Sequence, residues 1–552
     1  MISSIIKKIL FVVLLLLAAV FSNGQYVVFF AIWVFMAMLL FAVRSLRRWQ
    51  GFLVAYVAIG IGYYIGFDFV PFLPIEIPII VTLIFALFSS VPYLIDSFFR
   101  NARASFLSTL IFPCSVVLLE YGYHQLNQFG TFGHFAYTQQ SQLLLLQSIS
   151  IFGLGYITFL IAWFASVANW IYEQRNNRKN IKKALLAYGL VLGLTLSFGI
   201  YRVLFQASHP ETVRIASISA LDSLKTGIDI EGINNKETEQ EVKIETRRNT
   251  TKLNQDLFNR SVKQAQAGAE LVFWAEGNAV ILKEDELELY ENAREVAVAH
   301  NIYLGVGVAV IDPTNSKYLE NKFVLFNNQG KKVIDYWKGI SVPGAEEPIS
   351  NNKATGIQKT ATDFGTIAAV ICFDLDFPGY MTGASGSDIL LSPSNDWEEV
   401  ARLHSDMSKF RAIEQGFNFI RQTSLGISIG TDYTGKVVSK MSHFTDDDKV
   451  LITHLPTKGV RTVYSAIGDT FILLCLLGFI SVSFILRRRK KNNKTKLIRR
   501  RPSGLTCGQH CLFKYHLKDL TRLRGLPFRR NIGLTKLPSM CAHPSPQHNQ
   551  EA

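Results

Sequence analysis

Cysteine is scarce in this sequence and is nowhere paired where pairing would count. Cys114 and Cys475 lie in long apolar runs, Cys507, Cys511 and Cys541 lie near the C-terminus, and Cys372 stands alone in the mixed-composition middle. A small disulfide-stapled fold is thereby excluded. Charge is scarce as well. Only 18% of the 552 residues are Asp, Glu, Lys or Arg, while 49% are hydrophobic, and the apolar residues crowd into runs from Met1 to about Phe205 and again near the C-terminus. A single soluble domain does not fit that distribution. A basic surface is missing too, despite a formal net charge of +14. From Arg487 to Ala552 there are 17 Lys and Arg against Asp519 and Glu551, which leaves 40 basic and 41 acidic residues for everything before. The surplus is confined to a C-terminal tail, and the body offers no patch for DNA or RNA. No internal repeat of fixed period is visible.

What is present begins with runs long enough to cross a bilayer, which takes about 20 residues each. Eight are expected, at about Ile5–Ser22, Val27–Val43, Phe52–Phe67, Pro78–Ile95, Ser105–Tyr123, Leu143–Ile171, Ala184–Phe205 and Tyr464–Leu486. The first has no small-residue cleavage site and reads as an uncleaved span. Lys7 and Lys8, "RSLRRW" at Arg44–Trp49, "RNAR" at Arg100–Arg103, "EQRNNRKNIKK" at Glu173–Lys183 and "RRRKK" at Arg487–Lys491 all fall on one side if the count is eight. By the positive-inside bias that side is cytoplasmic. Both termini are then cytoplasmic, in a multi-pass protein of the cytoplasmic membrane, and the region between spans seven and eight faces outward. The expected organisation is a membrane domain over 1–207, a globular domain over 208–463, a last span over 464–486, and a basic, disordered or adventitious tail over 487–552. In that tail "CGQHC" at Cys507–Cys511 matches no common zinc spacing; its basic charge would meet anionic membrane lipid.

The globular region alternates strand-like and helix-like segments. "VRIASIS" (Val213–Ser219), "AELVFWAEGN" (Ala269–Asn278), "IYLGVGVAVI", a hairpin in "KFVLFNNQGKKVIDYW", "FGTIAAVICFD" and "SDILLSPSNDW" read as strands. Segments around Asn249–Gly268, Glu291–Asn301 and Arg402–Gln415 read as helices. That pattern predicts an α/β layered sandwich. Three polar residues fall at strand ends, where α/β sheets carry their reactive groups. Glu276 closes "LVFWAE", Lys338 follows "VIDYW", and Cys372 closes "IAAVIC". Each has an ordinary reading, as a turn acid, a surface lysine and a small core residue. Together they supply a base, a cation and a thiol. A thiol needs a base or a cation to become a nucleophile, and the oxyanion it creates needs a positive donor. An unpaired thiol in an oxidising compartment is a liability unless it has such work.

The order Glu, Lys, Cys in "LVFWAEGN", "VIDYWKGISVPGAEEP" and "AAVICFDLDFPG" resembles the nitrilase, or carbon–nitrogen hydrolase, superfamily. "GTFGHFAYTQQSQLLLLQSISIFGLGYITFLIAW" and "MSKFRAIEQGFNFIRQTSLGISIGTDYTGKVVSK" resemble stretches of the apolipoprotein N-acyltransferase family. The resemblance covers about Met1 to Arg489. It implies a polytopic helical membrane domain plus a nitrilase-like α-β-β-α sandwich, with Cys372 as nucleophile, Glu276 as general base and Lys338 as oxyanion stabiliser. Glu346 would be the supporting second acid, and the Phe373 amide a second oxyanion donor. Asp374 stands at the other supporting position. The implied reaction moves an acyl chain from a phospholipid through a Cys thioester to the N-terminal amine of a diacylglyceryl-modified apolipoprotein, without metal or organic cofactor. The sequence departs from the family at Ala275, where Pro is usual, and at Phe373-Asp374, where Tyr-Glu is usual. The stretch after Glu346 is short. A membrane-anchored amidase or nitrilase acting on a small exported amide, and a non-catalytic lipid-binding membrane protein, are the competing readings.

Overall fold

The computed structural model describes residues 2–67, 76–206, 210–225, 239–353 and 356–499. Two compact units divide the chain at Lys490/Lys491. Of the second, only the continuation of the helix Thr470–Arg499 is described, so the "CGQHC" stretch and most of the expected tail lie outside the described residues.

Among those residues, six helices are long and apolar enough to cross a membrane: Arg48–Phe67, Glu76–Phe98, Phe106–Leu126, Leu154–Glu173, Arg178–Phe205 and Thr470–Arg489. Six of the eight expected runs form such helices. The remaining two runs form the helix Ile2–Val20 and the helix Ala31–Arg44, whose 14 residues fall short of a full crossing. The intervening chain turns back at Gly24 (φ 81°), which packs against the backbone of Gly66 and delays the second helix to Ala31. The run from Leu143 is also broken. Two single turns, Leu143–Leu146 and Ile149–Phe152, precede Gly153, whose φ of 70° and ψ of −175° no helix allows, and the span starts only at Leu154. Similarly Gly468 (φ 57°) separates the short helix Val463–Ile467 from the last span. The basic connections meet at one end of the bundle. Arg44 and Arg103 share Asp96 at 2.8 and 2.6 Å, and Arg44 reaches Glu173 at 3.2 Å.

Among the described residues thirteen strands follow in chain order: β1 (Thr212–Ile218), β2 (Leu271–Trp274), β3 (Ala279–Leu282), β4 (Tyr303–Ile311), β5 (Leu319–Phe326), β6 (Lys332–Trp337), β7 (Lys359–Thr362), β8 (Gly365–Ala369), β9 (Ile389–Asn395), β10 (Asn418–Ser424), β11 (Ile427–Thr431), β12 (Val437–Ser442) and β13 (Val450–Pro456). One sheet runs β13-β1-β2-β4-β5-β6, with β3 beside β4; the other runs β12-β11-β10-β9-β8-β7. The two-residue period of a strand sends alternate side chains to opposite faces. In β8, Ile367 and Ala369 enter the layer between the sheets, together with Leu271, Phe273 and Tyr336. Ala368 and Val370 face outward onto Ala412 and Phe417. On the far side Leu253, Leu257, Leu289 and Ala293, from the helices Glu239–Gln266 and Glu286–His300, cover Val272, Trp274 and Leu304. Four layers result: helix, sheet, sheet, helix.

The outer helix on the second sheet, Ala401–Gln415, joins the two parts of the chain. Its Ala412 packs on the sheet, whereas Leu403, Met407, Phe410 and Ile413 belong to the apolar core of the membrane-type helices. Polar contacts tie the same seam. Thr131 donates from N and Oγ1 to the Asp376 carbonyl at 2.8 and 2.7 Å, and Gln147 donates to the Thr434 carbonyl at 2.8 Å.

Candidate active site

The three strand ends singled out in the sequence converge. Glu276 lies two residues past β2, Lys338 one past β6, and Cys372 three past β8. The Lys338 Nζ sits 2.7 Å from Glu276 Oε1 and 2.6 Å from Glu346 Oε1, so one ammonium bridges both acids. Glu346 Oε2 accepts from the Val342 amide at 3.1 Å, which fixes the acid in its own short loop. Asn321, from β5, donates to Glu276 Oε1 at 2.7 Å. The second carboxylate oxygen, Glu276 Oε2, is buried with no hydrogen-bond partner among the described residues. A buried carboxylate oxygen left bare is costly in a purely structural role.

Cys372 has φ 44°, a left-handed conformation that side chains other than glycine's seldom adopt. Such strain costs about 1–3 kcal/mol and persists where the surroundings impose it. Asp374 imposes it here. Its carboxylate accepts from the Ile371 amide at 3.0 Å, the Ile340 amide at 2.8 Å and the Tyr336 hydroxyl at 2.6 Å, so it ties the cysteine turn to the end of β6. Asp374 is therefore a brace rather than a group facing the thiol. Phe373 is buried and packs edge-on against Phe377. It lines the same cavity as Cys372.

Burial dominates the electrostatics. It pushes the Cys372 thiol well above its ordinary range, and Glu276 adds to that while Lys338 opposes it. Burial also raises the Glu276 carboxyl, against the pull of Lys338. Lys338 resists the lowering effect of burial because Glu276, Glu346 and Cys372 all favour its charge. The resting state is thus a neutral thiol beside a carboxylate of raised basicity and a firmly charged ammonium.

Sequence reasoning missed several residues here. Asn321 is one. Arg421, Asp396 and His404 form a buried group on the other side of the thiol: Arg421 holds Asp396 through two bonds of 2.8 and 2.6 Å, and Asp396 meets His404 Nδ1 at 2.8 Å. An arginine inside the strand "NFIRQTS" was the available signal, since every residue of β10 is buried. Also missed were Phe129 and Phe132, which come from the loop after the helix Phe106–Leu126 and wall the cavity over Cys372 with Trp397 and Val400.

Among the described residues, two groups have the composition of metal ligands. Glu120, His124 and His134 lie close together in the helical region. His134 Nδ1 accepts from the Ala136 amide, so its proton sits on Nε2, toward Glu120 at 3.4 Å, and no lone pair is left for an ion. Cys372, Asp396 and His404 also cluster, but an ion among them would meet the Arg421 guanidinium, 4.0 Å from the sulfur.

A family model described as carbon–nitrogen hydrolase matches residues 244–464. The chain is 25% identical over 494 residues to apolipoprotein N-acyltransferase 1 of Treponema denticola, covering 77% of this chain and 86% of that protein. It is 24% identical over 400 residues to the apolipoprotein N-acyltransferase of Borreliella burgdorferi, covering 66% and 72%. Among solved structures, an amidase from Nesterenkonia sp. superposes with a TM-score of 0.35 at 14% identity, over 47% of this chain and 94% of that one.

Proposed function

The chain belongs to the apolipoprotein N-acyltransferase family within the carbon–nitrogen hydrolase superfamily, and from that premise we propose that it transfers an acyl chain from a phospholipid, through a thioester on Cys372, to the N-terminal amine of a lipidated apolipoprotein. The protein is an N-acyltransferase; donor, covalent route and residue roles are our reading. The observation that carries it is the bare Glu276 Oε2, in a site whose other carboxylate oxygen is held by Lys338 and Asn321.

In the first half-reaction Glu276 takes the thiol proton as sulfur attacks the ester carbonyl. The carbonyl oxygen becomes an oxyanion that Lys338 and the Phe373 amide stabilise. Collapse breaks the C–O bond, Glu276 returns the proton to the departing alkoxide, and a lysophospholipid leaves. In the second half-reaction the free amine attacks the thioester, Glu276 takes its proton, and the thiol is regenerated as the amide forms. Lys338 keeps its charge throughout, being bridged by two acids. Phe129 and Phe132, contributed by the helical region, keep water from the thioester. This reading places the chain in the cytoplasmic membrane as a multi-pass protein, with the sandwich on the outer side where lipid-modified proteins are exposed.

Intact-protein mass spectrometry after incubating the purified full-length chain with phospholipid alone tests the thioester. An acyl-sized adduct on Cys372, absent in Cys372→Ala and discharged by a diacylglyceryl peptide, is expected. Acyl transfer without any adduct on Cys372, or transfer by Cys372→Ala, overturns the nucleophile assignment. Hydrolysis of short amides at an undiminished rate by the sandwich alone would favour an amidase.

A further inference from the structure

The Glu276–Lys338–Glu346 set occupies one side of Cys372. The other side holds a second charge network that the reaction above does not use. Arg421 Nη2 approaches the sulfur to 4.0 Å. Both of its terminal nitrogens are committed to Asp396. His404 is wedged between two carboxylates, with Nδ1 2.8 Å from Asp396 Oδ1 and Nε2 3.4 Å from Asp376 Oδ1. All four side chains are buried. Asp376 ends the cysteine turn, Asp396 follows β9, Arg421 lies in β10 and His404 in the helix Ala401–Gln415, so four separate stretches of the chain deliver the network to one thiol.

We propose that His404 is a positioning residue that acts on Cys372 through Asp396 and Arg421, holding the network electrically neutral so that the guanidinium stays available to the thiolate. The count of charges is the argument. Asp396 and Asp376 carry two negative charges and Arg421 one positive. With a charged imidazole the set is neutral. With a neutral imidazole it is one unit negative, directly beside a sulfur that must itself become negative. His404 Nδ1 lies 2.8 Å from Asp396 Oδ1 and 3.1 Å from Arg421 Nη2; with the imidazole charged it donates to the carboxylate and makes no hydrogen bond with the guanidinium. Burial disfavours that charge, but Asp376 and Asp396 outweigh it against Arg421 and raise the imidazole to about 9. Other charges face the set from every side. Lys338 and Glu346 lie across the cavity, and Arg411 acts on Asp376 from the same helix as His404. Asp406 and Lys409 of that helix pair with each other at 3.2 Å. The proposal rests on Cys372 being the nucleophile, but its test reads thiol ionisation and not acyl transfer, so the two fail separately.

The experiment uses full-length protein in which Cys114, Cys475, Cys507, Cys511 and Cys541 are replaced by alanine. The alkylation rate of Cys372 by iodoacetamide is followed against pH. In His404→Gln the rate at neutral pH should be roughly tenfold slower, the size of a one-unit change in thiol ionisation. Adding Asp376→Asn to that variant removes one negative charge and should restore the neutral-pH rate toward wild type, which a merely structural histidine cannot explain. Should His404→Gln fail to fold, Asp376→Asn alone decides. Wild type should show a second inflection near 9, where His404 titrates, and Asp376→Asn should move it to lower pH. A His404→Gln profile that overlays wild type, a double variant no better than the single one, or an inflection unmoved by Asp376→Asn overturns the proposal.

Discussion

Gly130→Ala probes how the helical region seats its loop on the catalytic turn. Gly130 has φ 57°, and a Cβ built there would lie 2.5 Å from the Asp376 carbonyl oxygen and 3.1 Å from Phe377 Cζ. Asp376 ends the 3-10 turn that Cys372 begins, and its carbonyl accepts two bonds from Thr131, the very next residue. The added methyl therefore has no flexible neighbour to push aside. Two terms add. An alanine in the left-handed region costs roughly 1–2 kcal/mol. Losing the two Thr131 bonds costs about 0.5–1.5 kcal/mol each. The sum, about 2–5 kcal/mol, corresponds at about 1.4 kcal/mol per decade to a thirtyfold or larger loss of the seated loop. Phe129 and Phe132 on that loop wall the cavity over Cys372, so kcat/KM for acyl transfer should fall at least tenfold while membrane insertion is retained. Gly122→Ala, in the preceding helix, is the control: nothing among the described residues lies within 4 Å of its added Cβ, and alanine is the better helix former. Near-normal kcat/KM in Gly130→Ala, or an equal loss in Gly122→Ala, would refute the reasoning.

Lys338→Met should abolish acyl transfer and also destabilise the protein by about 3–5 kcal/mol, because it strands two acids around a buried site; thermal melting beside the activity assay checks both. Lys338→Arg should not rescue activity, since a forked guanidinium does not replace a compact ammonium between two acids. The acid limb of activity should reflect Glu276, which works as a base only when ionised. Its raised carboxyl means that activity is lost, as pH falls, above the ordinary carboxylate range. Glu346 contributes to that rise, so Glu346→Gln should shift the acid limb to lower pH in a pH–rate profile, and a shift upward would contradict the electrostatic picture.

Much of the sandwich was legible because strand period and strand-end chemistry are local. β1, β2, β4, the β5–β6 hairpin, β8 and β9 overlap the segments read from sequence, and Glu276, Lys338 and Cys372 stood out as polar residues closing apolar runs. β7 was missed because "KTAT" is a polar edge strand with half-exposed sides. The two single turns at Leu143–Phe152 were read into a span because composition alone does not separate a lipid-facing helix from one buried against protein; only the backbone at Gly153 ends the ambiguity. The Arg421–Asp396–His404 group was invisible for another reason. Its members lie on β10, after β9 and on the intervening helix, and nothing before the parallel pairing of β9 with β10 tells that Asn395 sits beside Ser424. Asp374 shows the opposite case, a residue picked out by position whose role in the structure is bracing the cysteine turn rather than facing the thiol.

The cavity wall bears on why a carbon–nitrogen hydrolase fold would transfer rather than hydrolyse. Hydrolysis and transfer share every step up to the thioester and differ only in which nucleophile reaches it, so the catalytic groups on the sandwich cannot decide between them. The decision falls to whatever excludes water, and here that wall is divided between two parts of the chain. Trp397 and Val400 come from the sandwich, and Phe129 and Phe132 from the helical region. A chain cut back to the sandwich would keep Glu276, Lys338 and Cys372 but lose half of the apolar cover. The seam itself is built for permanence: Leu403, Met407, Phe410 and Ile413 sink into the helical core from the same helix that carries His404. The helix that closes the sandwich on one face is thus the helix that attaches it to the lipid-facing bundle. Water exclusion, lipid access and the charge balance around the thiol then depend on one packing interface, which is why a methyl group at Gly130, on the far side of that interface from the sulfur, is expected to reach the chemistry.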